Sequence, residues 1–375
     1  TWSAASDNSG VNYSVCKKNT AKANACDVLA KVTDTLSATV NVASLVDAVA
    51  ADYFILASDS SGKTVLSNEK NLSASTITQM IGYFKASNTG IDDGFGYSMA
   101  LSSDGSTLAV GARDEDNHAS GIITDSSEVN DANAASNTGA VYLFSNTAGS
   151  WVQSAYIKAS NADGSDYFGY SLDINEDGTV LVVGAPREDN ATSGVKIDGS
   201  ENVDTGTAAD SGAVYLFSYS AGSWTQTAYV KASNTDAYDE FGHSVALSSD
   251  GSTLAVAALG EDNAAKGIIT NGSEITDSSS ALGAGAVYLF SNSSGTWVQN
   301  AYIKASNTNT SDFFGYSLAL SGDGSTLAVG TPNEDNSATG IITDGSEVVA
   351  AGSALQSGAV YLFSNSTGNW LQTHY

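Results

Sequence analysis

The chain contains a repeat of 73 residues that occurs four times between Phe84 and Tyr375 without an insertion or a deletion. A period of this length exceeds that of small solenoid coils, and each copy has room for one four-stranded unit that needs neighbours to bury both faces. The repeat therefore predicts a series of similar β-units. It says less about function, which usually resides in sites added to a repeated scaffold.

Alternating apolar residues and turn residues predict four strands within one repeat. In the second copy, residues 168–174 alternate and residues 179–184 form a continuous β-branched run that predicts burial on both faces. Two further strands, at 212–217 and 224–230, flank a Ser-Ala-Gly-Ser turn at hairpin spacing. Without any helical periodicity, this pattern predicts an all-β fold, a β-propeller built of four-stranded blades.

A Phe-Gly dipeptide followed by Tyr-Ser or His-Ser recurs at a fixed place in every copy, and a Gly-Ala, Gly-Ala-Pro or Gly-Thr-Pro turn follows in three of them. The dipeptides are Phe95-Gly96, Phe168-Gly169, Phe241-Gly242 and Phe314-Gly315. This order resembles the FG-GAP repeats, which form the blades of the integrin α-subunit propeller and of many secreted microbial proteins. The third copy departs from the pattern, because it has Ala257-Ala258 at the position of the Gly-Ala turn.

Residues 1–82 are predicted to form a degenerate copy, and residues 83–375 to form the four regular repeats of one continuous propeller domain. The segment 52–58 parallels the strand at 139–145 of the first regular copy. This gives five blades, which either form the whole ring or belong to a larger propeller. The alternative for the first 82 residues is a small cap with a short helix around 43–51, since terminal repeats are often atypical.

The composition favours an extracellular or cell-surface protein. The formal net charge is −27, with 14 Lys and Arg against 41 Asp and Glu, which argues against nucleic acid or an anionic membrane surface as a partner. The most apolar run, 45–57, is interrupted by two aspartates and is too short for a membrane span. In an oxidising compartment Cys16 and Cys26 are predicted to form a disulfide; two buried free thiols are the alternative.

Calcium is the cofactor that the family resemblance raises. The loops in which integrin-like blades carry calcium ligands have too few carboxylates here, so those ligands do not carry over. Two other acidic sets recur in phase, one before the Phe-Gly dipeptide and one in a Glu-Asp-Asn triplet that opens the long loop. The candidate ligands are Asp93, Glu115, Asp116, Asp166, Glu188, Asp189, Asp239, Glu261, Asp262, Asp312, Glu334 and Asp335. The alternative is that these side chains cap backbone amides without a metal.

The repeated tryptophans predict a second kind of site, in which one ring per blade stacks on a sugar. They are Trp151, Trp224, Trp297 and Trp370. The alternative is that each ring begins an outer strand and packs between blades. The repeated lysines at 158, 231 and 304 are predicted to pair with neighbouring acids.

No nucleophile, base or phosphate-binding motif has a convincing context, so the sequence predicts that the chain is not an enzyme. The expected function is adhesion, interaction or extracellular structure, with a protein or glycan partner and possible calcium stabilisation. A glycan-binding lectin with repeated sites is one alternative. A self-assembling subunit of an extracellular filament or matrix is another.

Overall fold

A computed structural model describes residues 11–19, 25–33, 37–38, 40, 51–71, 83–117, 119–124, 136–197, 206–270, 280–342, 354–366 and 368–374. The chain divides into two compact units, Thr1–Phe84 and Lys85–Tyr375. The described residues form five antiparallel sheets and no helix, which confirms the predicted all-β class. The predicted helix around 43–51 lies almost entirely outside the described residues.

The first unit contains one sheet, sheet 1. Its strands are β1 (Asn12–Asn19), β2 (Ala25–Thr33), β3 (Asp52–Ser58), β4 (Thr64–Leu66) and β5 (Lys70–Asn71). The order is β2-β1-β3-β4, with β5 also paired to β3, and therefore differs from the order in the regular repeats. A disulfide between Cys16 and Cys26 joins β1 to β2, which confirms the predicted pairing of the cysteines.

The second unit contains sheets 2 to 5. Sheet 2 has β6 (Ser98–Leu101), β7 (Thr107–Ala112), β8 (Ile122–Ile123), β9 (Ala140–Thr147) and β10 (Ser150–Ile157). Sheet 3 has β11 (Ser171–Ile174), β12 (Val180–Ala185), β13 (Val195–Lys196), β14 (Ala213–Ser220) and β15 (Ser223–Val230). Sheet 4 has β16 (Phe241–Leu247), β17 (Thr253–Ala258), β18 (Ile268–Ile269), β19 (Ala286–Ser293) and β20 (Thr296–Ile303). Sheet 5 has β21 (Ser317–Leu320), β22 (Thr326–Thr331), β23 (Ala359–Asn365) and β24 (Trp370–His374).

Sheets 2 to 4 have one strand more than the four predicted. In each of them a two-residue strand from the long loop, such as Ile268–Ile269, pairs with the outer strand of the same sheet. The sequence shows only a polar excursion there, because two apolar residues are too short a run to produce a periodic signal.

Successive sheets of the second unit pack face to face. In β12, Leu181 and Val183 belong to the hydrophobic cluster shared with sheet 2, whereas Val182 belongs to the cluster shared with sheet 4. Alternate side chains of one strand therefore serve two cores, because side chains of a strand point to opposite faces. This confirms that the β-branched run is buried on both sides, as predicted from its continuity.

The Phe-Gly segments connect one sheet to the next. We define the Phe-Gly segment of each sheet as residues 92–96, 165–169, 238–242 and 311–315. The last three of these segments are paired with a receiving loop of the preceding sheet, at residues 136–139, 209–212 and 282–285. Residues 355–358 are at the same position in sheet 5. The amides of Ser165, Tyr167 and Phe168, for example, donate to the carbonyls of the loop at 136–138 over 2.8 to 3.2 Å. The sequence predicts a strand here, whereas the second copy's strand begins only at Ser171.

Candidate functional site

The glutamate of each Glu-Asp-Asn triplet is buried. Glu188 accepts hydrogen bonds from the Asn190 amide at 3.1 Å, the Asn161 side chain at 3.0 Å and the Tyr229 hydroxyl at 2.8 Å. In each sheet the triplet glutamate also receives the amide of the asparagine two residues later. These glutamates therefore hold the start of the long loop against the outer strand of their own sheet.

Two of these glutamates each form an ion pair with a buried lysine. The ammonium of Lys158 lies 2.6 Å from Glu115, that of Lys231 lies 2.7 Å from Glu188, and all four side chains are fully buried. In sheet 4, Lys304 donates to the main-chain carbonyl of Glu261 at 3.4 Å. The expectation that the repeated lysines pair with acids is met in sheets 2 and 3.

The repeated aspartates accept backbone amides. Those before the Phe-Gly dipeptide receive the amide three residues earlier, as Asp166 does from Asp163 at 3.0 Å. The middle residue of the triplet receives an amide of the receiving loop, as Asp189 does from Asp210 at 2.7 Å. The same contacts recur in the other sheets at Asp93, Asp116, Asp239, Asp312 and Asp335. The main-chain carbonyl of Asp262 accepts the Ala281 amide at 2.8 Å.

These contacts leave a poor fit for calcium, whose shell needs six to eight oxygens directed at one point. A lysine ammonium stands beside Glu115 and Glu188 where a cation would have to lie. Within the described part of the chain, no three His, Cys, Asp or Glu side chains form a group able to hold a metal ion. The calcium site thus stays a prediction without a ligand shell. A further glutamate recurs later in each long loop, as Glu128 and Glu201 do, and these glutamates lie outside the described residues.

Sheet 5 is electrostatically different. Its triplet glutamate, Glu334, is only 4% exposed and forms no ion pair with a described residue. Burial, with the added charge of Glu334, raises the pKa of the Asp312 carboxyl to about 7. Glu334 therefore lacks the lysine ion pair that Glu115 and Glu188 have, and the charge of Lys304 offsets only part of the shift at Asp312.

Three of the four repeated tryptophans are core residues. Trp224, Trp297 and Trp370 are 7%, 4% and 6% exposed, and each belongs to a hydrophobic cluster between sheets. Trp151 is half-buried. The ring faces of the first three are therefore covered, and sugar stacking on this set has support only from the partial exposure of Trp151.

A row of rings crosses the four sheets of the second unit. Tyr97, Tyr170, His243 and Tyr316 each follow a Phe-Gly dipeptide, and successive ring centroids lie 5.1, 5.0 and 5.7 Å apart. The two ends of the row, Tyr97 and Tyr316, are 47% and 54% exposed. The Nδ1 of His243 lies 3.4 Å from the Glu240 carboxylate.

The two arginines of the chain lie in adjacent repeats, one residue out of phase, since Arg113 corresponds to Pro186 and Arg187 to Asp114. The Arg113 guanidinium is 3.9 Å from the Tyr97 ring centroid and 5.4 Å from those of Tyr167 and Tyr170. The Arg187 guanidinium lies 4.7 Å from the centroid of the Tyr167 ring, the same ring that Arg113 approaches. We call these five residues the aromatic–arginine surface. Sheets 4 and 5 have no arginine at either position: Leu259 and Pro332 correspond to Arg113, and Gly260 and Asn333 correspond to Arg187, so the surface is restricted to one side of the unit.

The arginines are held in place by acids as well as by rings. The Arg113 Nε donates to Asp114 at 3.1 Å, and its side chain is 29% exposed. Burial raises the pKa of the Asp210 carboxyl, and the charge of Arg187 opposes that shift. Sequence reasoning missed both arginines, because they are one residue out of phase and so form no repeated position; the available signal was that the chain has only these two arginines, both just before a Glu-Asp-Asn triplet.

The model of the FG-GAP repeat matches residues 151–217, 224–290 and 297–363, which together exceed half of the chain. The chain belongs to the FG-GAP repeat family. This confirms the resemblance drawn from the Phe-Gly and Gly-Ala motifs. No curated protein matches the chain.

Solved structures of low identity resemble this FG-GAP protein. Hydrazine synthase from Kuenenia stuttgartiensis is 13% identical with a TM-score of 0.37, over 86% of this chain and 62% of that one. The periplasmic gluconolactonase of Pseudomonas aeruginosa is 14% identical with a TM-score of 0.31, over 98% and 83% of the two chains. Acylaminoacyl peptidase from Pyrococcus horikoshii is 10% identical with a TM-score of 0.29, over 86% and 35%. This chain thus spans less than two thirds of the hydrazine synthase chain.

These structures correct the prediction that the FG-GAP protein is not an enzyme. All three carry the names of enzymes, so the absence of a familiar catalytic motif was not sufficient ground to exclude catalysis. At 10–14% identity they transfer no activity, substrate or residue role to this chain. Among the described residues there is also no helix long and apolar enough to cross a membrane.

Proposed function

We propose that this FG-GAP protein is an extracellular or cell-surface interaction protein of the β-propeller class that binds a protein partner through the aromatic–arginine surface. The observation that carries the proposal is the position of Arg113 against the rings of Tyr97, Tyr167 and Tyr170, with Arg187 against the Tyr167 ring from the next repeat. A scaffold role would predict the same residues in all four repeats, and these residues differ between repeats.

The chemistry of the surface supports a protein partner. Tyrosine and arginine are enriched among the residues that contribute most to protein–protein binding, because each combines a large apolar area with directional hydrogen bonding. Arg113 and Tyr97 are both partly exposed and already ordered by their mutual contact. Ordering before binding lowers the entropic cost of association.

An extracellular location is supported by the disulfide and by the acidic composition. Disulfides persist mainly in oxidising compartments. A glycan is the second candidate ligand, favoured by the exposed rings of Tyr97 and Tyr316, on which a sugar face could stack.

The test compares immobilised wild-type chain with the Arg113→Ala/Arg187→Ala double variant and with Lys266→Ala, which removes an exposed cation elsewhere in the second unit. Each is exposed to cell-surface and matrix proteins and to a glycan array. We expect one protein partner to be retained by the wild type and by Lys266→Ala, and its affinity to fall about tenfold or more in the double variant. Equal retention by all three chains would refute the proposal, and loss of array binding alone would assign the surface to a glycan.

A further inference from the structure

Inside the second unit, the contact between a Phe-Gly segment and the receiving loop of the preceding sheet forms three times. We call this contact a junction. Sheet 2 and sheet 5, at the two outer edges of the unit, each present one half of a further junction. At the junction between sheets 2 and 3, the Phe-Gly segment of one sheet lies on the receiving loop of the other. An added Cβ at Gly139 would lie 2.0 Å from the Phe168 carbonyl oxygen, and the equivalent distances at Gly212 and Gly285 are 2.1 and 2.2 Å. The contact is therefore backbone against backbone in each of the three junctions.

Sheet 5 presents an open receiving loop. An added Cβ at Gly358 meets only Pro332 of its own sheet, at 3.1 Å. Val360 is 56% exposed, whereas the valines at the same position of sheets 2, 3 and 4 are fully buried under the glycine of the next Phe-Gly segment. Within the described residues, the carbonyls of 355–357 accept no backbone hydrogen bond.

Sheet 2 presents an open Phe-Gly segment. An added Cβ at Gly96 meets nothing within 4 Å, whereas those at Gly169 and Gly242 lie 2.6 Å from a carbonyl oxygen of the preceding sheet. The amides of residues 92, 94 and 95, which correspond to the three junction donors of sheet 3, donate to no described backbone carbonyl. Three donors on one edge therefore match three acceptors on the other.

Both open edges already have the backbone conformation of a formed junction. Asp92 and Gly94 have φ of 64° and 68°, close to the 73° and 59° of Ser165 and Tyr167. On the receiving side Gln356 has φ of 54°, against 58° and 52° for the equivalent residues of sheets 2 and 3. Left-handed backbone is strained for residues other than glycine, so adopting it on binding would cost free energy. Both edges already have this conformation, and they therefore need little further ordering to dock.

The two edges also complement each other in charge and in ring stacking. Glu334 is buried without a described cation, and Lys85, which stands one repeat before Lys158 in sequence phase, is exposed. The exposed ring of Tyr316 ends the aromatic row on the open side of sheet 5, and that of Tyr97 ends it on the open side of sheet 2. A copy placed in repeat register would bring each pair together.

We propose that a second copy of this chain occupies the open side of sheet 5, with its own 92–96 segment lying on the 355–358 loop of the first. The contact is heterologous, so repetition of it gives either a closed ring or a filament of copies. Formation of this junction covers Val360, supplies Lys85 to Glu334, and continues the aromatic row from Tyr316 to Tyr97.

The test uses the full chain and two variants that each block one edge. Val360→Asp places a charge on the receiving side. Gly96→Asn places a side chain where a carbonyl oxygen of the other copy would lie, and asparagine is chosen because it tolerates positive φ. Leu371→Asp is the matched control, because Leu371 is 60% exposed and its equivalents Val152 and Val298 are also exposed although their sheets have a following neighbour.

Sedimentation velocity over a concentration series gives the readout. We expect the wild type and Leu371→Asp to associate, each edge variant alone to sediment as a monomer, and an equimolar mixture of the two edge variants to form dimers and nothing larger. The association constant of each edge variant should fall about tenfold or more. A monomeric wild type, or assemblies unaffected by Val360→Asp, would overturn the proposal. A monomer in which the amides around Val360 resist hydrogen exchange would show that the same chain covers this face, and would overturn it as well.

Discussion

The buried lysine of sheet 3 offers a direct test of how the repeated acids are stabilised. Lys231 and Glu188 are fully buried, their charged atoms lie 2.7 Å apart, and the ammonium also donates to the Ser211 hydroxyl at 2.7 Å. Lys231→Met keeps most of the apolar stem but removes the charge. The Glu188 carboxylate then stays buried without a counter-charge, or must take up a proton at a free-energy cost.

The size of the stability loss expected for Lys231→Met follows from the burial of the ion pair. Removing one partner of a buried ion pair costs about 3–5 kcal/mol, because the other charge remains desolvated. Glu188 keeps three hydrogen-bond donors after the substitution, so we expect a loss near the lower end, about 3 kcal/mol. The exposed pair Lys18–Glu69 has the same 2.7 Å separation with side chains 42% and 48% exposed, so Lys18→Met should cost far less stability than Lys231→Met.

Urea unfolding followed by circular dichroism measures both values. The double variant Lys231→Met/Glu188→Gln should recover part of the loss, because the uncompensated charge is gone. If Lys231→Met and Lys18→Met cost the same within about 0.5 kcal/mol, the reasoning from burial is wrong.

Three further predictions follow from other features of the second unit. Since the Asp312 pKa is raised from 3.8 to about 7, the folded chain binds this proton more tightly than the unfolded chain; stability should fall as pH rises through that window, by roughly 1–2 kcal/mol after allowance for solvent screening. Urea titrations across the window should show this slope flattened in Asp312→Asn and retained in Asp166→Asn. Gly212→Ala, where an added Cβ lies 2.1 Å from the Phe241 carbonyl oxygen, should lower stability by more than about 2 kcal/mol. Gly222→Ala, with similar positive φ but open space, should cost about 1 kcal/mol, and equal losses would contradict the junction geometry. Melting in excess chelator should match melting in calcium, because the acids already have protein partners, and a higher melting temperature with calcium would establish a metal site.

Much of the fold of one repeat could be predicted because its signals are local. The run that became β12 is continuous and β-branched, and the hairpin between β14 and β15 has a small-residue turn, so both strands follow from neighbouring residues. In the second copy the strand was predicted to begin at Phe168 but begins at Ser171, because the backbone partners of the Phe-Gly segment lie in the preceding sheet. Pairing at that distance leaves no periodic pattern in the segment itself.

The candidate site was less predictable for a different reason. Repetition draws attention to residues that every sheet needs, and these proved to be buried acids such as Glu188 and core rings such as Trp224. Arg113 and Arg187 occupy different repeat positions, and what they share is contact with Tyr167, which no spacing rule reveals. The proposed binding surface therefore rests on differences between copies rather than on their agreement.

We place partner binding on the aromatic–arginine surface, where the repeats differ. Hydrogen–deuterium exchange of the chain with and without a captured partner locates the contact. We expect protection on binding to be confined to peptides containing Tyr97, Arg113, Tyr167 and Arg187. Protection confined to the outer hairpins, or spread equally over the same phase of all four repeats, would contradict it.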